Sequence, residues 1–289
     1  MKVCGACCIE LPREKFSNKQ WKLNKYQRRC IECIDANREC ILLDKFHDEA
    51  LFKQPPREED CPICFLRLPS MSTGKSYSAC CGKRICGGCV HANAKMDGNA
   101  ADQLCPFCRT PAPKTDDEII KQVKKRVEMG DVEAIYNLGP MYIDGRHGLP
   151  QDNTKALELF LRAGELGCAA AYNNIGRSYF NGIGVERNEK KAMDYYELGA
   201  MRGDVYSRHN LGVLEKRSGN IDRAMKHFMI AVEFGYGRSL VHIKGFFMDG
   251  HATKDEYEKA LRSHQAYLDE IRSVQRDEAA AFNDRYKYY

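Results

Sequence analysis

The chain has 289 residues, 43% of them hydrophobic and 29% charged, with a formal net charge of +5. That balance is ordinary for a globular protein and argues against disordered and membrane classes, while a charge this mild does not by itself imply nucleic-acid binding. No uncharged apolar run reaches the roughly 18 residues that a spanning helix needs, and residues 1–10 hold no apolar stretch of signal-peptide length, so a cytoplasmic or nuclear protein without membrane contact is expected.

Fourteen of the 15 cysteines lie in the first 108 residues. Thiols of a reducing compartment, present in such density and without a secretory signal, point to metal ligands rather than disulfides. Polar, proline-marked breaks at 54–60 and 109–114 divide the chain. The expected architecture is multidomain: small metal-stabilised α+β modules at 1–53 and 55–113, an all-α helical-repeat solenoid at 116–273, and a carboxyl-terminal cap or tail at 274–289.

The first segment carries Cys4-x2-Cys7, then 22 residues, then Cys30-x2-Cys33, the spacing of a single-zinc ribbon or knuckle, with Cys8 as a substitute ligand. A helical pattern with Leu42, Phe46 and Ala50 on one face follows. Between the cysteine pairs, Leu11-Pro12, Phe16-Ser17, Gln20 and Trp21 resemble the LIM-like zinc modules of chromatin adaptors. Seven basic residues (Arg13, Lys15, Lys19, Lys22, Lys25, Arg28, Arg29) stand there against Glu14, beside Trp21 and Tyr26. Such interleaving admits nucleic acid as a partner; the alternative is a solvated face with Trp21 in the small core.

The second segment runs Cys61-x2-Cys64, Cys80-Cys81, Cys86-x2-Cys89 and Cys105-x2-Cys108. Eight thiols make two closed tetrahedral sites with no open position for catalysis. A segment of about 60 residues buries too little to offset its chain entropy, so the metal specifies this fold. Gly74-Lys75-Ser76 looks like the end of a phosphate loop, but Pro69 stands where that motif needs its first glycine.

Cys61-Pro62-Ile63-Cys64, Cys81-Gly82-Lys83-Arg84-Ile85-Cys86-Gly87-Gly88-Cys89 and Cys105-Pro106-Phe107-Cys108-Arg109 resemble a RING finger. Lys83 stands where most members have a ligating His, and a protonated Lys offers no lone pair. The adjacent Cys80 and Cys81 are similar to the all-cysteine variant of the ubiquitin ligase in the Ccr–Not deadenylase complex. That resemblance implies interleaved sites, Cys61, Cys64, Cys86 and Cys89 on one zinc and Cys80, Cys81, Cys105 and Cys108 on the other, with His91 as a rival eighth ligand. With the first segment the total is three zinc ions.

From residue 116 the composition turns helical, and it repeats. Ala134-Ile135-Tyr136-Asn137-Leu138-Gly139 recurs at Ala171–Gly176 and Ser207–Gly212, and Lys155-Ala156-Leu157 recurs at residues 191, 223 and 259. Each unit is therefore expected to be two amphipathic helices, with Gly and Ala where the pair approaches closely. The pattern resembles the Sel-one-like repeats, relatives of the tetratricopeptide repeats, with four units over 132–271. Three departures stand out: Pro140, expected to end or kink its helix; a third unit without the Gly-x-Gly-Val turn; and Lys244 where Gly is expected. Cys40 and Cys168 read as small buried residues, and the aromatic tail 276–289 is expected to cap the last repeat.

The RING resemblance implies a ubiquitin ligase without a covalent catalytic residue, which binds a ubiquitin-charged conjugating enzyme and orients its thioester. Ile63 and Pro106 match the contact positions of that enzyme, and Arg109 matches the residue that bridges it to ubiquitin. The repeats would recruit a protein substrate. The alternative is a non-enzymatic zinc-binding adaptor, in which Ile63 and Pro106 merely shape the metal loops.

Overall fold

The computed structural model describes residues 48–54, 58–96 and 103–289, together with positions 2, 3, 10, 11, 14, 17 and 56. The expected site of Cys4, Cys7, Cys30 and Cys33, its substitute Cys8, the basic stretch with Trp21, Cys40, and Leu42 and Phe46 lie outside the described residues. The chain divides into two compact units, 1–54 and 55–289. In the first, β1 (Lys2–Val3) pairs antiparallel with β2 (Glu10–Leu11), and a helical turn over 48–51 buries Leu51.

The second unit opens with the cysteine module. Its frame is an antiparallel hairpin of β3 (Lys75–Ser78) and β4 (Lys83–Cys86), leading straight into α1 (Gly87–Met96). Two loops with the same backbone design flank it. In the first, Phe65 donates to the Cys61 carbonyl at 2.9 Å and Cys61 to that of Leu66 at 2.9 Å; in the second, Arg109 donates to Cys105 at 3.0 Å and Cys105 to Thr110 at 2.8 Å. The residue after each second cysteine turns left-handed, Phe65 at φ 58° and Arg109 at φ 60°. Non-glycine residues hold that conformation only where the surroundings enforce it. The module's apolar core is small, Leu68 and Ile85 packed among Cys61, Cys86, Cys89 and Cys105.

After the lone helix α2 (Asp116–Glu128), capped by Thr115, come paired helices: α3 (Val132–Asp144) with α4 (Asn153–Glu165), α5 (Ala169–Asn181) with α6 (Glu189–Met201), α7 (Val205–Arg217) with α8 (Ile221–Glu233), and α9 (Arg238–Met248) with α10 (Lys254–Ile271). The recurring Leu-Gly phrase has a specific job. A Cβ on Gly139 would lie 2.4 Å from the Phe160 ring, one on Gly176 2.5 Å from Tyr196, and one on Gly212 2.6 Å from Phe228. Each first helix thus opens a slot for one aromatic ring of its partner, and the three rings are buried. A ring of this size contributes on the order of 1.5–3 kcal/mol when buried. In the fourth pair Lys244, exposed, stands at the glycine's position, and His264, at the ring's position, rests against Gly237 instead.

Helix caps set the register of the pairs. Asp131 accepts from Glu133 and Ala134, Asp204 from Ser207, Asp152 from Lys155, and Thr253 forms a capping box with Glu256. Cys168 is buried as the N-cap of α5, with no side-chain cap bond. Of the two outcomes expected at Pro140, an end is excluded: α3 continues to Asp144 and stops at Gly145 in the left-handed conformation. Ile135, Leu138 and Gly139, buried against α4 just ahead of the proline, hold the chain helical despite the lost amide donor.

The tail packs on two partners. α11 (Val274–Phe282) and the 3-10 turn Asp284–Tyr286 turn back and pack along α1 of the cysteine module. Ala280 and Tyr288 are buried with Tyr267 and Ile271 of α10, so the tail also covers the end of the last repeat's second helix. Val241 and Met248 on α9 stay 71% and 74% exposed, so the first helix of that repeat keeps an open face.

Candidate metal centre

The eight sulfurs of the module gather into two quartets, Cys61, Cys64, Cys86 and Cys89, and Cys80, Cys81, Cys105 and Cys108, the ligand atoms within 4.8 Å of one another in each. The topology explains the interleaving. β4 delivers Cys86, and the first turn of α1 Cys89, to the first loop, while the bend before β4 delivers Cys80 and Cys81 to the second.

Sulfur separations test the fit to a metal. Four ligands at about 2.3 Å from one ion form a tetrahedron with edges of about 3.8 Å. Here Cys61 to Cys89 is 3.9 Å, Cys64 to Cys86 3.7 Å, Cys81 to Cys105 3.9 Å and Cys80 to Cys108 3.5 Å. All eight are free thiols rather than disulfides. Backbone amides already face the sulfurs: Cys86 N–H points to Cys61 Sγ at 3.5 Å and Cys89 N–H to Cys86 Sγ at 3.4 Å. Hydrogen bonds from Cys86 and Cys89 pull the Cys61 thiol down, and one with Thr110 brings Cys108 to about 6. Both quartets can hold a metal ion.

His91 does not join either quartet. Its ring is buried against the tail, 4.8 Å from Phe282 and 6.1 Å from Tyr286 between ring centroids. Lys83 is exposed, with its ammonium 5.8 Å from the centre of the Phe107 ring.

Around the two loops lies an apolar rim. Ile63 and Pro106 are half-buried, Phe65 and Phe107 are 77% and 44% exposed, and Arg109 extends at the edge. Arg109 does not hang free: its Nη1 donates to Asn93 Oδ1 at 2.9 Å, and Asn93 Nδ2 donates to the Leu104 carbonyl at 2.9 Å. Sequence reasoning passed over Phe65 and Asn93, since neither position is marked by spacing or composition.

The module is also fastened to the repeats. Arg126 of α2 donates through Nε to the Ala79 carbonyl at 3.0 Å and through Nη2 to that of Cys80 at 2.8 Å. Tyr77 donates to Asp131 at 2.8 Å, and Tyr206 and Tyr267 accept from the amides of Ser72 and Ser70 at 3.0 and 2.8 Å. Between the hairpin and the repeats lies a cavity of about 510 Å³, with Ser76, Tyr136, Asn137, Asn173, Asn174 and Tyr206 in its wall. At one edge Arg84 reaches Glu58, Glu59 and Glu133, and burial pushes the Lys75 ammonium down and the Glu133 carboxyl up.

Comparison with known proteins agrees with the helical part. The Sel1 repeat family model matches residues 132–168 and 169–204. These two units are Sel1 repeats. The ERAD-associated E3 ubiquitin-protein ligase component HRD3B of Arabidopsis thaliana is 32% identical over 113 residues, 39% of this chain and 18% of that protein. E3 ubiquitin-protein ligase DA2 of the same plant is 45% identical over 53 residues, 18% of this chain and 12% of its own length. E3 ubiquitin-protein ligase GW2 of Oryza sativa subsp. indica is 38% identical over 68 residues, 24% of this chain and 15% of its own. The aligned part is thus less than a fifth of each relative. Among solved structures, a Sel1 repeat protein from Oxalobacter formigenes superposes with a TM-score of 0.47 at 26% identity, covering 53% of this chain and 64% of that one.

Proposed function

We propose that the chain is a RING-type ubiquitin ligase. Its two quartets hold structural zinc, its loops dock a ubiquitin-charged conjugating enzyme, and its Sel1 repeats present a protein substrate. The observation that carries this reading is the pair of sulfur quartets with exposed apolar residues on their loops. Phe65 and Phe107 are exposed, Ile63 and Pro106 half-buried and Arg109 exposed, while the module is fastened elsewhere to the repeats. The similarity to proteins named as ubiquitin ligases or ligase components supports the pathway, and the sulfur geometry supports the metal.

The quartets fit zinc by donor type and spacing, and bound zinc would supply folding free energy and fix the two loops, not chemistry on the substrate. The rest belongs to the chain's own residues. Ile63 and Pro106 offer the conjugating enzyme an apolar seat. Arg109 offers a planar fork of donors that can bridge that enzyme and ubiquitin. Asn93 fixes where the fork starts. Orientation then speeds transfer without an acid or base on the ligase. The cavity against the repeats is the expected seat of a substrate segment, its wall of Asn and Tyr groups suited to a peptide backbone.

The test is discharge of ubiquitin from a panel of charged conjugating enzymes by the full zinc-loaded chain. Ile63→Ala should weaken enzyme binding about tenfold, and Arg109→Ala should slow discharge on the order of tenfold or more with binding retained. Wild type that discharges none of the enzymes while holding its zinc would sink the proposal and leave the adaptor reading.

A further inference from the structure

Arg276 on α11 is 1% exposed, yet among the described residues its hydrogen-bond partners include no carboxylate. Its Nη1 donates to the carbonyls of Ile271 at 2.6 Å and Arg67 at 2.8 Å, its Nη2 donates to that of Leu66 at 3.3 Å, and the same Nη2 stands 4.0 Å from Cys64 Sγ. A fully buried guanidinium without a counter-charge is costly. Three glycines of the module show that this approach is built in. A Cβ on Gly88 would lie 3.0 Å from the Arg276 side chain, one on Gly87 2.9 Å from the Tyr286 ring, and one on Gly74, whose φ is +74°, 2.7 Å from Tyr288 Cβ. Gly74 N–H also donates to the Arg285 carbonyl at 3.1 Å.

The missing counter-charge is supplied by the metal site itself. Four thiolates around a divalent ion carry a net charge of −2, whereas four protonated thiols carry none. We propose that zinc loading of the first quartet and docking of the strap 274–289 are one coupled equilibrium, with Arg276 as the outer residue that balances the four-thiolate charge. Coupling is reciprocal: by whatever factor zinc tightens the strap, the strap tightens zinc. The segment so held, Cys64 to Arg67, follows Ile63 directly and includes Phe65, so the strap also fixes the rim. The inference rests on zinc occupying the quartet and not on ligase activity.

The test uses the full chain, with its metal content measured first. Released to a chromophoric chelator, one zinc of the module in Arg276→Gln should leave about 10–100-fold faster than in wild type while its neighbour is unchanged, as expected for loss of an outer-shell partner. Arg276→Lys should recover part of the difference. Glu278→Gln, which breaks the strap's ion pair with Lys95 at 2.7 Å away from the sulfurs, should leave release unchanged. In wild type, zinc extraction should raise amide exchange across 274–288 while α5 to α8 stay protected. Equal release rates in wild type and Arg276→Gln, equal acceleration in Glu278→Gln, or a strap still protected after extraction each overturn the coupling. Should Arg276→Gln fail to fold, the exchange experiment on wild type decides. Protein purified without zinc in the module overturns the metal reading instead, and the initial metal analysis tells the two failures apart.

Discussion

The cysteine module and the repeats lie in one compact unit but solve the problem of a small core in opposite ways. The module has Leu68 and Ile85 among its cysteines and little else apolar within, so on the proposed reading its loops are closed by a metal that bridges the sulfurs. The repeats close one ring into one glycine slot, pair after pair, as Phe160, Tyr196 and Phe228 do. If zinc fills the quartets as proposed, a metal-dependent region is joined to one that needs no metal, and the first should be lost without the second. They are coupled by polar and apolar contacts alike: Arg126 and Arg276 reach the module's carbonyls from two different parts of the helical region, and Met71 packs with Val205, Ala231 and Tyr236.

Metal removal breaks the comparison hardest. Structural zinc contributes on the order of 10 kcal/mol of apparent folding energy to small domains, far above the few kcal/mol such a module holds unaided. Chelation of the full chain should abolish protection of the hairpin and α1 while helicity over 132–271 is largely kept, read by amide exchange beside far-ultraviolet circular dichroism. Cooperative loss of both together would show that the repeats depend on the module, contrary to the division drawn here.

Within the repeats, Asp204 is a buried carboxyl whose protonation bears on stability near neutral pH. It is buried as the cap of α7, accepting from Ser207 N–H at 2.7 Å, and burial pushes its carboxyl up to about 6. The sign follows from which state binds the proton. Between the unfolded value of about 4 and the folded value the native state holds more protons, so this group's contribution falls as pH rises and is least favourable at neutrality. Asn keeps the cap without the charge. Asp204→Asn should therefore be more stable than wild type at pH 7, by up to about 3 kcal/mol, with the difference vanishing toward pH 4. Paired thermal melts at several pH values check this; a difference independent of pH would remove the buried charge from the account.

Much of this was legible in the chain because both regions advertise a period. Cysteine pairs at fixed spacing announce closed metal sites, and Leu-Gly with Lys-Ala at intervals near 36 residues announces paired helices. The grouping of sulfurs was open on spacing alone, because it depends on β4 running back past the first loop, a tertiary fact. Arg276 left no trace: one arginine among the charged residues of an amphipathic helix looks solvated until its carbonyl partners, some 210 residues away, are known. Gly87-Gly88 was read as part of a cysteine phrase, although paired glycines at the start of a helix signal a close approach by some other segment. Pro140 does not stop its helix because packing on both sides of it outweighs the lost amide donor.

The smallest expected effect is also the sharpest test of the glycine slots, because the same substitution should change sign between two positions. Gly176 faces the Tyr196 ring, where a Cβ would lie 2.5 Å away, whereas a Cβ on Gly245 of α9 meets open space. Both lie inside helices, where Ala is favoured over Gly by about 0.8–1 kcal/mol. At Gly245 nothing opposes that gain, so Gly245→Ala should raise stability by roughly 0.5–1 kcal/mol. At Gly176 the ring sits in a buried seam and cannot swing out without moving α6, so overpacking should outweigh the gain and Gly176→Ala should cost about 1–3 kcal/mol. Urea denaturation of the two variants, with metal kept constant, reads both signs. Should Gly176→Ala stabilise as well, the recurring glycine would be a matter of backbone preference alone, and the slot would lose its place as the device that sets the helix pairs.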